Sequence, residues 1–456
     1  MITGRDLIDA GFPQGPEFGA ALEHLKSIDF PNSELKNWVS ENAPEPRVKP
    51  QAPIKYNSYI ESENDLEEAN VQSVKSTFEE LLKTPTIRYG SIMPDACPAG
   101  PLGTIPVGGV VAAENAIHPG MHSADICCSV MATDFGTADP KEVLDAIHKA
   151  THFGPGGRQN GQRYTMSADL YDEFKENSFL GDKRILRSAI EHMGTQGDGN
   201  HFAFVGKSSV SGNTFLITHH GSRGPGAGLF KLGMRVAEKY RKKLSEGVLK
   251  QNAWIPYDTQ DGADYWEALQ LIRRWTKANH NCLHAATEQI SGSKTLNRFW
   301  NEHNFVFKDD DLFWHAKGAT PVKNDLLPDT NGIQIIPLNM AEPILFVKGE
   351  QSSDKGYFAP HGAGRNYSRT AHKKSKSGMT EDQIFSDETD GLDVRFFSGN
   401  IDISELPSAY KNAASVRVQM EKFKLATVVD EIQPYGSIMA GDWERDAPWR
   451  NKKEKT

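Results

Sequence analysis

Segments able to hold a metal or a phosphate recur between residues 123 and 369, and no linker separates them. Ser123-Ala124-Asp125-Ile126-Cys127-Cys128 comes first, then Gly197-Asp198-Gly199-Asn200-His201-Phe202. Thr218-His219-His220-Gly221-Ser222-Arg223-Gly224 and His303-Asn304-Phe305 follow, and His361-Gly362-Ala363-Gly364-Arg365-Asn366-Tyr367-Ser368-Arg369 closes the series. Ligands scattered so widely meet only if the whole stretch folds as one interlocked unit. The spacing follows no compact finger pattern. A chain of 456 residues is long enough for one large domain or for two or three ordinary ones. The absence of a linker favours one.

The last segment is the most informative chemically. Small residues after His361 let a phosphate approach the backbone. Arg365 and Arg369 can grip its oxygens in forked hydrogen bonds. His361 is then a nucleophile, a general acid or base, or a simple phosphate ligand. The earlier segments combine thiolate, imidazole and carboxylate, which suits manganese, zinc, iron or cobalt. A bridging thiolate would allow five protein ligands to hold two ions, a standard clamp for phosphoryl chemistry.

Net charge is -9, which argues against general coating of nucleic acid but leaves room for a local basic groove. Four cysteines, one adjacent pair among them, do not form a disulfide framework, and we expect a reducing cytoplasm. No signal peptide and no membrane-spanning apolar run is expected.

Local patterns predict an irregular N-terminal arm over 1–55 and a surface helix over 64–83. Short strands follow between 86 and 135, and Asp139-Pro140 caps a helix over 140–151. Longer helices are expected at 228–246, with Leu229, Leu232, Val236, Tyr240 and Leu244 on one face, and at 263–290, with Trp266, Leu269, Ile272 and Trp275 on one face. Strands are expected at 202–206, 214–219, 304–308, 333–336 and 343–348. Arg273 and Arg274 beside Trp275 line a strand-binding groove or sit on an ordinary helix surface.

Taken in order, these segments resemble the RtcB family of RNA-splicing ligases. Asp125-Ile126-Cys127-Cys128 is similar to the family's Asp-x-x-Cys, Gly197–Phe202 to its Gly-x-Gly-Asn-His-Phe, and His219–Gly224 to its His-x-Gly-Ser-Arg-Gly. His303-Asn304-Phe305 resembles its His-Asn-Tyr, and Lys317-Gly318-Ala319 its Lys-Gly-Ala. His361–Arg369 is similar to the segment bearing its guanylylated histidine, and Ala409-Tyr410-Lys411 to a late nucleotide-contacting segment.

The resemblance implies an α+β fold: a single large domain of mixed β-sheets around a deep dinuclear metal cleft, with flanking helices. It implies a variable region over 1–85, a catalytic domain over 86–441 and a polar tail over 442–456. Asp125, Cys128 and His201 would hold one manganese, and Cys128, His219 and His303 the other. His361 would attack GTP. Asn200, His361, Gly362, Ala363, Gly364, Arg365 and Tyr410 would contact the nucleotide, with Arg223, Lys317 and Arg369 near RNA phosphates. The activity implied is a manganese- and GTP-dependent RNA ligase working through a histidine–nucleotide intermediate. It would join RNA 3′-phosphate or 2′,3′-cyclic phosphate ends to 5′-hydroxyl ends, in tRNA splicing or RNA repair. A monomer, with an archease-type activator as partner, is the family expectation. The alternatives are a metal-dependent phosphohydrolase that opens cyclic phosphates without ligating, a non-catalytic RNA-end binder, and a member with altered nucleotide preference.

The last alternative rests on departures from the family pattern. Phe204 stands where a guanine-contacting glutamate is usual, and Ala440 where a nucleotide-contacting lysine is usual. Asp95, Trp314 or Asp198 would then supply a substitute contact, or base selectivity would relax.

Overall fold

The computed structural model describes residues 2–13, 16–44, 48–327, 332–350 and 357–445. Most of the polar tail expected at 442–456 lies outside them.

The expectation of an irregular arm over 1–55 is corrected. Three helices form there: α1 (Gly4–Asp9), α2 (Pro16–Ser27) and α3 (Leu35–Asn42). Leu7, Phe12, Leu25, Leu35 and Val39 build a small core of their own. Gly11, Pro13 and Pro31 fall in the joints between these helices. Next, α4 (Asp65–Leu81) starts at an Asn64 cap and buries Val71, Val74, Phe78 and Leu81.

Two sheets organise the rest. The first contains β1 (Asn57–Ser58), β2 (Ile87–Cys97) and β3 (Val107–Glu114). The second contains β4 (Ser129–Asp134), β5 (Phe202–Ser208), β6 (Thr214–His220) and β7 (Asn297–Glu302). The first sheet regains the chain at β8 (Asn304–Asp309) and β9 (Leu312–Lys317), giving the order β1-β2-β3-β9-β8. The second is completed by β10 (Gln334–Ile336), β11 (Ile344–Gly349), β12 (Asp393–Phe396) and β13 (Ala426–Met439). Its order is β10-β11-β13-β5-β6-β4-β7, with β12 parallel to β13. The remaining pairs along that order are antiparallel. The strands expected at 202–206, 214–219, 304–308, 333–336 and 343–348 all form.

The capped helix is α5 (Pro140–Ala150), with the Asp139 side chain accepting from Lys141 and Glu142 N–H groups. After α6 (Ala168–Glu176) and α7 (Lys183–Glu191) come the two long helices, α8 (Arg223–Leu244) and α9 (Gln260–Ser291). The face expected on α8 does meet the core, with Leu229 and Leu244 buried, but small residues share it. Its buried stripe is Gly226, Leu229, Gly233, Ala237 and Leu244, while Leu232, Val236 and Tyr240 are only half-buried. Small residues lie innermost because Tyr265 of α9 fills the space: a Cβ on Gly233 would fall within 2.5 Å of its ring. In α9, Leu269, Ile272 and Trp275 are buried and Trp266 half-buried. Three short helices, α10 (Arg369–Ser375), α11 (Glu381–Glu388) and α12 (Ala413–Lys422), follow His361 along the chain. No described helix is long and apolar enough to cross a membrane.

Candidate active site

Four of the expected ligands lie at one end of four neighbouring strands. Cys128 precedes β4 and His201 precedes β5, while His219 lies at the end of β6 and His303 directly follows β7. Pairing of Phe202 with His219, Ser129 with His220, and Ser129 with Glu302 keeps those ends level. Antiparallel alternation of starts and ends therefore brings segments remote in sequence to one edge. Period-two alternation then turns His219 toward the cleft and His220 away from it.

Asp125 reaches the group through a tight turn. Cys128 N–H donates to Asp125 O at 3.3 Å, and Cys127 adopts φ +57° with its N–H on Asn304 O at 2.7 Å. A non-glycine residue in the left-handed region costs on the order of 1 kcal/mol or more. Here it puts carboxylate and thiol on the same side. Gly221 is required beside them, because any Cβ there would overlap the Asp125 carboxylate.

The ligand atoms of Asp125, Cys128 and His201 lie within 4.8 Å of one another, and so do those of Cys128, His219 and His303. Cys128 belongs to both groups. Its Sγ is 3.6 Å from His201 Nε2 and 3.1 Å from His219 Nε2. His201 Nδ1–H donates to Gln196 O at 2.6 Å and His219 Nδ1–H to Asn200 O at 3.2 Å. Both tautomers leave Nε2 bare. Yet His201 Nε2 faces Asp125 Oδ2 at 3.0 Å, and His219 Nε2 faces His303 Nε2 at 3.1 Å. A cation held between these atoms would take the place of the protons they otherwise share. The buried His303 Nδ1 has no partner.

The protonation states suit the same role. Burial, and then the neighbouring His201 and His361, bring His219 down to about 3. Burial, then His361, takes His303 well below its ordinary value. Both imidazoles are therefore neutral at pH 7 and free to ligate. Burial and then Asp125 push the Cys128 thiol well up, so a cation must displace its proton.

His361 follows a short strand, Phe358–Pro360, that pairs with Ala319–Pro321. Its ring centroid is 4.8 Å from that of His303. Nδ1 donates to Asp95 Oδ2 at 2.6 Å, and the backbone N–H donates to the same oxygen at 3.2 Å. Asp95 is fully buried, so the ring is fixed and Nε2 is left free. Sequence reasoning offered Asp95 as a base contact; it instead orients His361. Asp95 lies within β2, in a stretch that no local sequence pattern marks as part of the site. Gly364, at φ +73°, packs against the Asp95 backbone, where any Cβ would overlap the carbonyl oxygen.

The cleft between the two sheets has a volume of about 410 Å³ and is lined by all the expected metal- and nucleotide-site residues except the buried His201. Asn200, Gly362, Ala363, Gly364, Arg365 and Tyr410 all line it. The arginines are engaged rather than free. Buried Glu405 accepts from Arg365 Nη2 at 2.5 Å, Arg369 Nε at 2.7 Å and Tyr410 OH at 2.5 Å. Arg223 is directed elsewhere, donating to Gly154 O at 2.9 Å. Lys317 lines the cleft with Nζ on Ile105 O at 3.1 Å, and burial lowers it to about 8. Trp314 and Asp198 do not line the cleft, so neither is a substitute base contact there. Arg273 pairs with buried Glu302, and Arg274 with Glu173, which makes the groove reading of α9 unnecessary.

Comparison with known proteins agrees with this geometry. A family model described as tRNA-splicing ligase RtcB matches residues 157–440. The chain is 24% identical over 434 residues to the tRNA-splicing ligase RtcB of Aeropyrum pernix, covering 76% of this chain and 87% of that protein. It is 23% identical over 428 residues to the tRNA-splicing ligase RtcB of Thermococcus kodakarensis, covering 76% and 87%. It is 26% identical over 344 residues to the RNA-splicing ligase RtcB of Escherichia coli K12, covering 68% and 81%. With the family model spanning more than half its length and the ligand-bearing segments gathered at one sheet edge, the chain belongs to the RtcB family.

Proposed function

We propose that this chain is an RNA ligase that joins a 3′-phosphate or 2′,3′-cyclic phosphate end to a 5′-hydroxyl end, using two manganese ions and GTP, with His361 as the covalent nucleophile. The observation that carries the proposal is a buried carboxylate, Asp95, bonded to Nδ1 of an imidazole that lies against the metal-binding group.

His361 Nε2 attacks the α-phosphorus of the triphosphate; an N–P bond forms and pyrophosphate leaves with the electrons of the broken P–O bond. Asp95 stabilises the positive charge that develops on the ring and keeps it in line. The nucleotidyl group then passes to an RNA 3′-phosphate oxygen, which restores the neutral imidazole. The 5′-hydroxyl attacks that activated phosphorus, loses its proton and expels the nucleoside monophosphate. A cyclic end first takes up water to become a 3′-phosphate. Bound at Asp125–Cys128–His201 and Cys128–His219–His303, divalent cations supply charge neutralisation and polarisation of phosphate oxygens. Asn200 and the backbone around Gly362–Gly364 line the path of the phosphates. Tyr410 and Glu405 hold Arg365 in one pose beside them.

The test is intact-mass analysis after incubation with GTP and manganese, alongside end-joining of a cyclic-phosphate RNA to a 5′-hydroxyl RNA. A nucleotidyl adduct that is lost in His361→Ala, together with manganese-dependent joining, is the expected outcome. Joining without an adduct would reject His361 as nucleophile. Phosphate release without joining would favour a hydrolase.

A further inference from the structure

Two strands form a wall of the cleft whose chemistry is unlike the rest. On β5 and β13, Phe202 pairs with Met439 and Phe204 with Ser437. Directly paired residues share one face of a sheet, so all four side chains line the cleft together. Met340 and Ile344 extend the same apolar surface. Ser437 is 2% exposed, and its Oγ has no hydrogen-bond partner. A buried hydroxyl left unsatisfied in an apolar wall calls for a ligand group. Among the described residues lining the cleft, the carboxylates are Asp125 and Glu405. Asp125 belongs to the metal-binding group, and Glu405 is taken up by Arg365, Arg369 and Tyr410.

Resting on the nucleotide-dependent reading above, we propose that this wall is the base subsite, and that it accepts adenine and guanine alike, so that ATP as well as GTP serves as nucleotide donor. Guanine presents two neighbouring donors, N1–H and the exocyclic amine, and a site that selects it needs a matching acceptor pair. The wall offers one rotatable hydroxyl, which can donate to or accept from either purine. Flat apolar surface holds any purine face, and a hydrophobic pocket discriminates poorly between ligands of similar shape.

The test labels the full-length protein with α-labelled GTP or ATP at equal concentration with manganese. Labelling efficiencies within about 10-fold of each other are expected; a larger preference for either nucleotide overturns the proposal. Equilibrium binding of α,β-non-hydrolysable GTP and ATP analogues separates the two readings. Comparable affinities without any adduct leave the base subsite standing and reject His361 as nucleophile, whereas no binding of either analogue overturns the subsite. Phe204→Glu is expected to raise the GTP-to-ATP ratio at least 10-fold. Should that variant not fold, Ser437→Ala, which removes the orphaned hydroxyl, is expected to weaken both analogues about 3- to 10-fold without lowering the melting temperature. Unchanged affinity for both would overturn the role given to the hydroxyl.

Discussion

Cys128 Sγ stands between two triads, and the loss of one atom there should affect both. Metal analysis of wild type is expected to return two manganese ions per chain. His303→Ala should return one, and Cys128→Ser close to none, at a protein concentration well above the wild-type dissociation constant. One retained ion in Cys128→Ser would show that the thiolate is not shared. Asp95 acts through His361, so Asp95→Asn should slow His361 labelling about 10- to 100-fold while metal content stays unchanged. Lys317 gives a pH signature. Burial lowers it to about 8 from an ordinary value of 10.5. Between those values the unfolded chain binds a proton that the native state does not, so native stability should rise with pH across that window. Urea denaturation of wild type and Lys317→Met at pH 8 and pH 10 checks this: the rise should be smaller in the variant.

At the level of elements, α8 shows what apolar spacing leaves out. Leu229 and Leu244 of the apolar face are buried and Leu232, Val236 and Tyr240 pack half-buried against the core, but the buried stripe also holds Gly226, Gly233 and Ala237. Helix spacing at a crossing is set by the smallest residues when a large ring, here Tyr265, must fit between the axes. Gly233→Leu should therefore cost about 1–3 kcal/mol by overpacking. Leu232→Ala should cost less, because its side chain is only half-buried. Urea denaturation of both variants decides, and the reverse ranking would refute the packing account. The strands were easier to find, since alternation and β-branched residues mark them directly. Their order was not legible: nothing local says that β13 inserts between β11 and β5, over 200 residues away in sequence.

The whole molecule divides into an N-terminal helical unit with its own small core and a body built on the two sheets. Removal of residues 1–43 is expected to leave His361 labelling and manganese binding intact, read by intact mass and metal analysis; loss of either would tie the helices to the site. The ordered motifs in the sequence determined much of the body. They carried the family, the sheet-and-cleft class of fold, and the identity of the side chains that gather in the cleft, because ligand type and neighbouring turn residues are local facts. Tertiary structure alone decided what those side chains do to one another. It tied Asp95 to His361, drew Arg365 and Arg369 onto Glu405, turned Arg223 away, and set Phe204 beside Ser437. Each of these relations joins residues between about 30 and 270 positions apart, with sheet register or long-range packing as the cause. Spacing along a chain does not encode such distances.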